Sequence, residues 1–552
     1  MVQQFLDTIY SGVDVERVWR RTEAIWNSDR WMNSTAWNRT VAYVAEQLAA
    51  DGVKDVEIVK CAADGESEFF GHKAWMEWDV RDATLEILGG KREMLCHYRE
   101  NPRALMTYSA PTPKDGIETE LVRVDDGREK GHYRRINVKG KIVFTRRHGA
   151  NVAPLAAELG AVGVLSDYLV PRDEVPCRQP MTLPELLPEP PGWSQQMQWM
   201  HISGSKHGLF GFALSPAAGE RMRERMKRGP VRVRAKVDSW FSKGSIPAVT
   251  AVVPGRDKRG GQVLVLGHLF EQGANDNASG CAVVLEVASC LNALITRGAM
   301  PRPKRSIRLL LMLEVQGSAY YLSTHKEQIP KTLAALCLDN VGDLHHVTQT
   351  QLTVNLSPED KPSFTDPVLE WIVHQWLDPR DRLFHWITSP YVGGTDNYIA
   401  LDPIGIPCPW VGEANRLWHT TADTMESVDR RSLAHVSTIS AAYAHFLASA
   451  GLREARLALA LSAGHGERRL VARGAEYLEG LIARQRGAKA LEEGLNAVGK
   501  ERDRSIARLR TVLPMVDRAQ QRTLEPAIKA AAADLRRCAQ AQTERLKAAA
   551  RQ

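Results

Sequence analysis

The sequence has no cysteine pattern of the kind found in disulfide-rich proteins or in thiolate metal sites. Its 552 residues include eight cysteines, and none of them forms a Cys-x-x-Cys pair. In a chain of this length, scattered cysteines argue against a disulfide framework and against a thiolate zinc site. We therefore expect free thiols, mostly buried, at Cys61, Cys96, Cys177, Cys281, Cys290, Cys337, Cys408 and Cys538.

Long apolar runs and targeting segments are also missing from the sequence. We find no apolar run long enough to span a bilayer, for which a helix needs ~20 residues. The N-terminal stretch MVQQFLDTIYSGVDVERVWRR has no basic region followed by an apolar one, so it does not read as a signal peptide. We expect a cytoplasmic protein that does not associate with membranes.

The charge balance favours a well-solvated surface over a surface that binds an acidic partner. The formal net charge of +7 is small beside 72 Lys and Arg and 65 Asp and Glu residues. No Lys/Arg tract interleaves with aromatic residues, so no nucleic-acid partner is expected. With 44% hydrophobic and 25% charged residues, the composition is that of a globular protein, and the length predicts two to four domains.

Residues 1–110 predict the first part of a larger domain, and residues 111–245 predict a compact α/β unit inserted into it. VERVWRRTEAIW and TVAYVAEQLAADG carry apolar residues at helical spacing, and VKDVEIVKC alternates like a strand. In the inserted unit, KGKIVFTRR and GVLSD predict strands on either side of the helix NVAPLAAELG. The proline-rich residues 171–193 predict a loop.

Residues 246–450 predict an α/β domain with a mostly parallel mixed sheet and helices on both faces. Near-continuous apolar strands such as GQVLVLGHL, SIRLLLMLE and LAALCLDNVG alternate with helices such as GCAVVLEVASCLNALI. In sheets of this kind, ligands bind at the carboxyl ends of the strands. Residues 451–552 are rich in Ala, Leu and Arg and predict antiparallel helices that pack on the body or on a partner subunit.

Four polar clusters follow these strands or lie in later loops. They hold His268 with Asp276, then Glu314, then Asp339, and last His419. Imidazole and carboxylate groups are ligands that catalytic zinc takes, and a carboxylate that does not bind the metal can act as a general base. Taken singly, Asp276 could be the N-cap of the next helix and Asp339 a turn residue. Their combination and order favour a metal site.

These clusters resemble a known family of metallopeptidases. GHLFEQGANDNASG, LEVQGS, LDNVG, GTDNYIALDPIGIP and WHTTADTMESVD are similar to the co-catalytic zinc aminopeptidases of peptidase clan MH. That group includes bacterial leucyl aminopeptidases, glutamate carboxypeptidase and the transferrin receptor. The match covers about residues 246–450, and its GA-x-DNASG and HT-x-x-DT signatures are specific. KGKIVFTRR and ELGAVGVLSD resemble pieces of an inserted protease-associated (PA) domain.

The resemblance implies a role for each candidate residue. His268, Asp276 and Asp339 would hold one zinc, and Asp276 would bridge to a second zinc ligated by His419. Glu314 would be the general base that takes a proton from metal-bound water. Asp396, in GGTDN, would lie behind the ligands without binding the metal itself.

Two positions depart from the family's pattern. The family has His-x-Asp, whose Asp supports the ligand His, and this chain has Phe270 at the third position. The family also has a Glu-Glu pair, a base followed by a zinc ligand, and here the pair is Glu314-Val315. Because Glu314 stands three residues before Gly317, we read the base as kept and the ligand as lost; a register shifted by one would remove the base instead. We expect one tightly bound zinc, with a second possible.

The expected function is that of an aminopeptidase acting on a peptide or aminoacyl substrate, because four of the five usual ligands and the base remain. The side-chain pocket is expected near Trp386 and Tyr391. The alternative is a catalytically inactive binding protein that kept the fold, as the transferrin receptor did, and another hydrolase or a cyclase on the same scaffold also stays open. The C-terminal helices predict a homodimer interface.

Overall fold

Two β-sheets and a C-terminal helical region make up the fold, which a computed structural model describes for residues 2–29, 33–89, 93–170, 192–269, 271–413, 415–484 and 488–551. The strands are β1 (Lys54–Ala63), β2 (Glu68–Phe69), β3 (His72–Lys73), β4 (Glu77–Ile87), β5 (Glu93–His97), β6 (Ile117–Arg123), β7 (Ile142–Thr145), β8 (Gly163–Ser166), β9 (Phe210–Ala213), β10 (Arg232–Ser242), β11 (Gly244–Val253), β12 (Gln262–His268), β13 (Ser306–Met312), β14 (Thr332–Leu338), β15 (Leu352–Asn355), β16 (Trp386–Ser389) and β17 (Trp410–Gly412). The helices are α1 (Val2–Tyr10), α2 (Val15–Asp29), α3 (Ser34–Ala50), α4 (Gly149–Glu158), α5 (Gly204–His207), α6 (Pro216–Lys227), α7 (Ala278–Thr296), α8 (Gln316–Thr324), α9 (His345–Thr348), α10 (Thr365–Leu377), α11 (Arg430–Ser449), α12 (Leu452–Arg484), α13 (Ala488–Arg510) and α14 (Arg518–Ala549).

The larger sheet contains eight strands in the order β1-β11-β13-β12-β14-β17-β15-β16. Its centre is parallel, because β12 pairs in parallel with β13 and β14, and β14 pairs in parallel with β17. The pairs β1–β11, β11–β13 and β15–β17 are antiparallel. The predicted α/β fold with a mostly parallel mixed sheet is confirmed.

Helices cover both faces of this sheet, since its central strands are apolar on both sides. Val263 and Val265 of β12 share a core with α7 and α11. Leu264 and Leu266 point to the opposite face, where they pack in the same cluster as Leu322 of α8. This alternation follows from the two-residue period of a strand.

Helix α7 corrects one expectation. By length and composition it is apolar enough to cross a membrane, although we expected no such segment. Most of the helix is buried inside the fold, against α2, α11 and the sheet. Its buried Glu286 pairs with Arg17 of α2 at 2.8 Å. A helix that is apolar all round is also what the core of a large domain requires.

The smaller sheet contains seven strands in the order β5-β4-β10-β6-β7-β8-β9. Strands β6 to β9 are parallel, as in the predicted inserted α/β unit. Two strands from before residue 111 also belong to this sheet, because β4 pairs antiparallel with β10 and β5 pairs antiparallel with β4. The domain boundaries stay a prediction. The resemblance to a PA domain stays a prediction, and residues 171–191 of the predicted proline-rich loop lie outside the described residues.

The C-terminal helices α12, α13 and α14 pack against one another and against the body of the same chain. His465 of α12 lies 3.0 Å from Glu370 of α10. Arg305, just before β13, donates to the carbonyl of Met515, between α13 and α14, at 2.8 Å. These contacts match the first of the two predicted arrangements, and the homodimer stays a prediction.

The described cysteines confirm the expectation drawn from their spacing. Cys61, Cys96, Cys281, Cys290, Cys337 and Cys408 are buried and free, and the partly exposed Cys538 is also free. Burial raises the pKa of the Cys61 thiol to about 12, so this thiol stays protonated and unreactive at neutral pH. Cys177 lies outside the described residues.

Candidate metal centre and active site

Three of the predicted site residues lie at the carboxyl ends of adjacent parallel strands. His268 is the last residue of β12, and Asp339 directly follows β14. Glu314 stands two residues beyond β13, whose Met312 is paired with His268. Because the three strands are neighbours, their ends bring these side chains to one edge of the sheet.

The side chains of His268, Asp276 and Asp339 form a first group of possible metal ligands. One ligand atom from each lies within 4.8 Å of the others. Nε2 of His268 is 3.6 Å from Asp276 Oδ1 and 4.0 Å from Asp339 Oδ1. This buried nitrogen makes no hydrogen bond within the described part of the chain. A buried, unsatisfied imidazole nitrogen facing two carboxylates fits a bound divalent cation.

Asn277, and not Asp276, caps helix α7. The Asn277 side chain accepts a hydrogen bond from the Gly280 N–H at 3.1 Å. The capping interpretation of Asp276 is therefore wrong, and its carboxylate is left to face two histidines, His268 and His419.

A second group consists of Glu271, Asp276 and His419, whose ligand atoms also lie within 4.8 Å of one another. His419 Nε2 is 2.9 Å from Glu271 Oε2 and 3.1 Å from Asp276 Oδ2. Asp276 thus belongs to both groups and presents one oxygen to each histidine. This arrangement is suited to a pair of cations bridged by one carboxylate.

Glu271 is the residue that the sequence interpretation missed. It lies in the loop between β12 and α7 and is buried. No periodicity marks a residue in a loop. The available signal was its position directly after Phe270, where the family's supporting carboxylate is lost and another acid follows at once.

The loop that carries Asp276 is held by Asp423, the Asp of the HT-x-x-DT signature. Asp423 accepts hydrogen bonds from the backbone N–H groups of Asn275 at 2.9 Å and Asp276 at 3.1 Å. The approach is so close that a Cβ on Gly273 would collide with the Asp423 carboxylate. Asp423 therefore sets the position of the shared ligand without contacting the ligand histidines itself.

Asp396 lies behind His268, on the side away from the other ligands. Its Oδ2 is 3.8 Å from His268 Nδ1. Its Oδ1 accepts hydrogen bonds from the Val315 N–H at 3.0 Å and from the Ser318 hydroxyl at 2.6 Å. A carboxylate here can fix the orientation of the imidazole, which is the task of the Asp that Phe270 replaces.

The site concentrates negative charge in a buried place. Burial raises the pKa of Asp339 to about 7. Burial, with repulsion from Glu271 and Asp339, also raises the pKa of Glu314 well above its usual value. Burial opposes the charged form of His419, but Glu271 and Asp276 together outweigh it and raise the pKa of this imidazole to about 10. Divalent cations would offset such an excess of buried carboxylate.

A cleft of about 340 Å³ opens onto the site between the two sheet domains. Glu271, Glu314 and His419 lie along its wall, together with Trp75 and Trp418. The smaller domain contributes His148, Trp199 and His201. The expected pocket residues Trp386 and Tyr391 are not among the described residues that line it.

The sequence of the larger domain matches a known family. Residues 248–444 match Peptidase family M28. This segment belongs to peptidase family M28. The M28 domain contains all of the predicted site residues and also Glu271, so the chain carries a metallopeptidase-type hydrolase domain. No curated protein matches the chain in sequence.

Solved structures share the fold over most of the chain. The zinc aminopeptidase BSAP from Bacillus subtilis has a TM-score of 0.56 and 17% identity, covering 79% of this chain and 94% of that one. The peptidase M28 precursor from Shewanella amazonensis SB2B has a TM-score of 0.57 and 17% identity, covering 81% and 97%. The aminopeptidase from Aneurinibacillus sp. strain AM-1 has a TM-score of 0.50 and 18% identity, covering 80% and 96%. At these identities the likeness is one of fold.

Proposed function

We propose that the protein is a zinc-dependent aminopeptidase that releases residues from the free N-terminus of a peptide. The observation that carries this proposal is the sign of the charge in the cleft. Glu271 and Glu314 line it, and its described lining contains no Lys or Arg. His419 also lines the cleft, but its imidazole faces the carboxylates of Glu271 and Asp276 at 2.9 and 3.1 Å, which balance its charge within the centre. A carboxylate-lined wall suits the ammonium group of a peptide N-terminus, whereas a C-terminal carboxylate would need a cation there.

His148 and His201, the two histidines from the smaller domain, do not change the sign of the charge in the cleft. Burial lowers the pKa of His148 to about 3, and burial also lowers the pKa of His201. Both imidazoles are therefore neutral at pH 7 and contribute no positive charge to the cleft. Their rings meet edge to face at 5.2 Å, so they form an aromatic wall.

Different residues of the site bind the metal and transfer the proton. His268, Asp276, Asp339 and His419 would hold zinc, which when bound polarises the scissile carbonyl and lowers the pKa of water. Glu314 takes a proton from the attacking water as its oxygen bonds to the carbonyl carbon. It then gives that proton to the leaving amine as the peptide C–N bond breaks. Burial raises its pKa above the usual value, which is the direction that helps a carboxyl group both to accept and to donate a proton.

The aromatic lining favours substrates with an apolar first residue. Trp75, Trp199 and Trp418 provide the large apolar surfaces of the cleft. Aromatic side chains of this size bind apolar groups mainly by removing their surface from water. We therefore expect leucyl and phenylalanyl substrates to be preferred over aspartyl and lysyl ones.

The test compares substrates that differ only at the N-terminus. Zinc-loaded protein should hydrolyse leucyl-4-nitroanilide and Leu-Gly-Gly, and it should leave N-acetyl-Leu-Gly-Gly intact. Equal cleavage of the acetylated peptide would contradict the aminopeptidase proposal. The absence of turnover on any aminoacyl or peptide substrate, with zinc bound, would favour the inactive binding protein instead.

A further inference from the structure

We propose that Glu271 is the third protein ligand of the second zinc and takes the place that Val315 cannot fill. This inference rests on the proposed zinc-dependent function and concerns how this chain completes its metal centre. Valine offers no lone pair, so Asp276 and His419 alone would leave that zinc with two protein ligands. Catalytic zinc sites normally use three.

The position of Glu271 carries the inference. Its Oε2 lies 2.9 Å from His419 Nε2, the nitrogen that also faces Asp276 Oδ2 at 3.1 Å. The Glu271 carboxylate, the His419 imidazole and the shared Asp276 carboxylate therefore face one common point. Glu271 also groups with His268 and Glu314, but its Oε2 lies 3.9 Å from His268 Nε2, so its contact with His419 is the shorter of the two.

His419 and the backbone beside Glu271 are held by residues outside this group. The backbone N–H of Trp199 donates to the His419 carbonyl at 2.6 Å, and the Trp199 ring meets the imidazole edge to face at 4.8 Å. Arg103 donates to the carbonyl of Gln272, the residue after Glu271, at 2.8 Å. Ligands fixed in this way lose little freedom when a metal binds.

Val315 lies beside the group and has an unusual backbone conformation. It has φ 57° and ψ −54°, a conformation that is rare for a β-branched residue, directly before α8. Its N–H donates to Asp396, and its carbonyl accepts from the Tyr398 hydroxyl at 3.2 Å. The backbone position is thus kept by its neighbours, and its side chain lines the same cleft as Glu271. A carboxylate at position 315 would enter the centre from that side.

The consequence is a metal centre with two filled sites. The expectation of one tight zinc followed from counting two ligands on the His419 side, and Glu271 raises that number to three. We therefore expect two tightly bound zinc ions per chain, bridged by Asp276.

Zinc counting on matched variants tests this inference. Wild type, Glu271→Gln, Glu426→Gln and the double variant Glu271→Gln/Val315→Glu are loaded with zinc, passed through mild chelation and measured by elemental analysis. Glu426 is an exposed residue close to the HT-x-x-DT signature, so its variant controls for the loss of a surface charge. Thermal unfolding of each variant shows whether the fold is kept.

The expected zinc contents are two per chain for wild type and Glu426→Gln, one for Glu271→Gln, and two for the double variant. In Glu271→Gln, zinc on the His419 side should bind more weakly by more than the about 10–100-fold that loss of a supporting partner costs. Two zinc ions on folded Glu271→Gln would overturn this inference and leave the proposed function standing, as would one zinc ion on wild type. Wild type that binds no zinc would overturn both.

Discussion

The metal centre has two halves that are built differently. His268, Glu314 and Asp339 lie at or just beyond the ends of three paired strands, so the sheet itself sets their spacing. Glu271 and His419 lie on loops, and His419 is in contact with Trp199 of the smaller domain. The strand-end half is therefore determined within the M28 domain. The loop half depends on how loops and a second domain meet.

The largest expected effect is on the strand-end half and concerns Glu314. Glu314→Gln keeps the shape of the side chain but removes the group that carries the proton, so kcat should fall about 10²–10⁴-fold. Zinc content should stay at the wild-type value. The measurement is kcat on leucyl-4-nitroanilide beside zinc analysis, with the exposed Glu327→Gln as control. Loss of zinc in Glu314→Gln would make Glu314 a ligand and disprove its role as base.

The next effect joins the two halves through Asp423. Asp423→Ala leaves the N–H groups of Asn275 and Asp276 without their acceptor, so the shared ligand Asp276 loses its fixed position. We expect zinc affinity to fall about 10–100-fold on both sides of the centre, as for other supporting carboxylates. Asp423→Asn keeps one acceptor oxygen, so its zinc affinity should fall less than that of Asp423→Ala. Competition with a fluorescent zinc chelator measures both, and an effect on one zinc alone would contradict this role.

A smaller and one-sided effect is expected at Asp396. Asp396→Asn removes the charge facing His268 Nδ1 while keeping the shape of the side chain. Zinc on the His268 side should bind about 10-fold more weakly, and zinc on the His419 side should be unchanged. Asp402→Asn, on the exposed surface, is the matched control. Equal weakening of both zinc ions would show that Asp396 supports the whole fold of the site and not His268 in particular.

The smallest effect is expected at the contact between His419 and the smaller domain. Trp199→Leu removes the edge-to-face contact, worth about 0.5–1.5 kcal/mol, and part of the apolar cleft wall. We expect kcat/KM for leucyl substrates to fall about 2–10-fold with both zinc ions retained. The exposed Trp240→Leu serves as control. If the two variants behave alike, Trp199 has no part in substrate binding.

The strand-end half could be predicted from the sequence because local patterns specify it. Apolar runs such as LVLGH predict buried strands, and the polar residue at the end of each run predicts a side chain at the sheet edge. The same patterns predicted the parallel centre of the larger sheet. They did not predict that β4 joins the smaller sheet, because the pairing of β4 with β10 connects segments about 150 residues apart and depends on tertiary structure.

The loop half could be predicted only in part. His419 was found because its HT-x-x-DT surroundings are distinctive, whereas the available signal at Glu271 was only its position directly after Phe270. The loss of the usual ligand at Val315 was visible, but its replacement depends on where a short loop places one carboxylate in space. Such a position is decided by contacts like that of Asp423 with Asp276, which no periodicity reveals.

Anomalous X-ray diffraction at the zinc absorption edge, from crystals of zinc-loaded protein, tests the central claim most directly. The account predicts two anomalous peaks per chain, one among His268, Asp276 and Asp339 and one among Glu271, Asp276 and His419. A single peak on the His268 side, or a second peak that Glu271 does not contact, would contradict it.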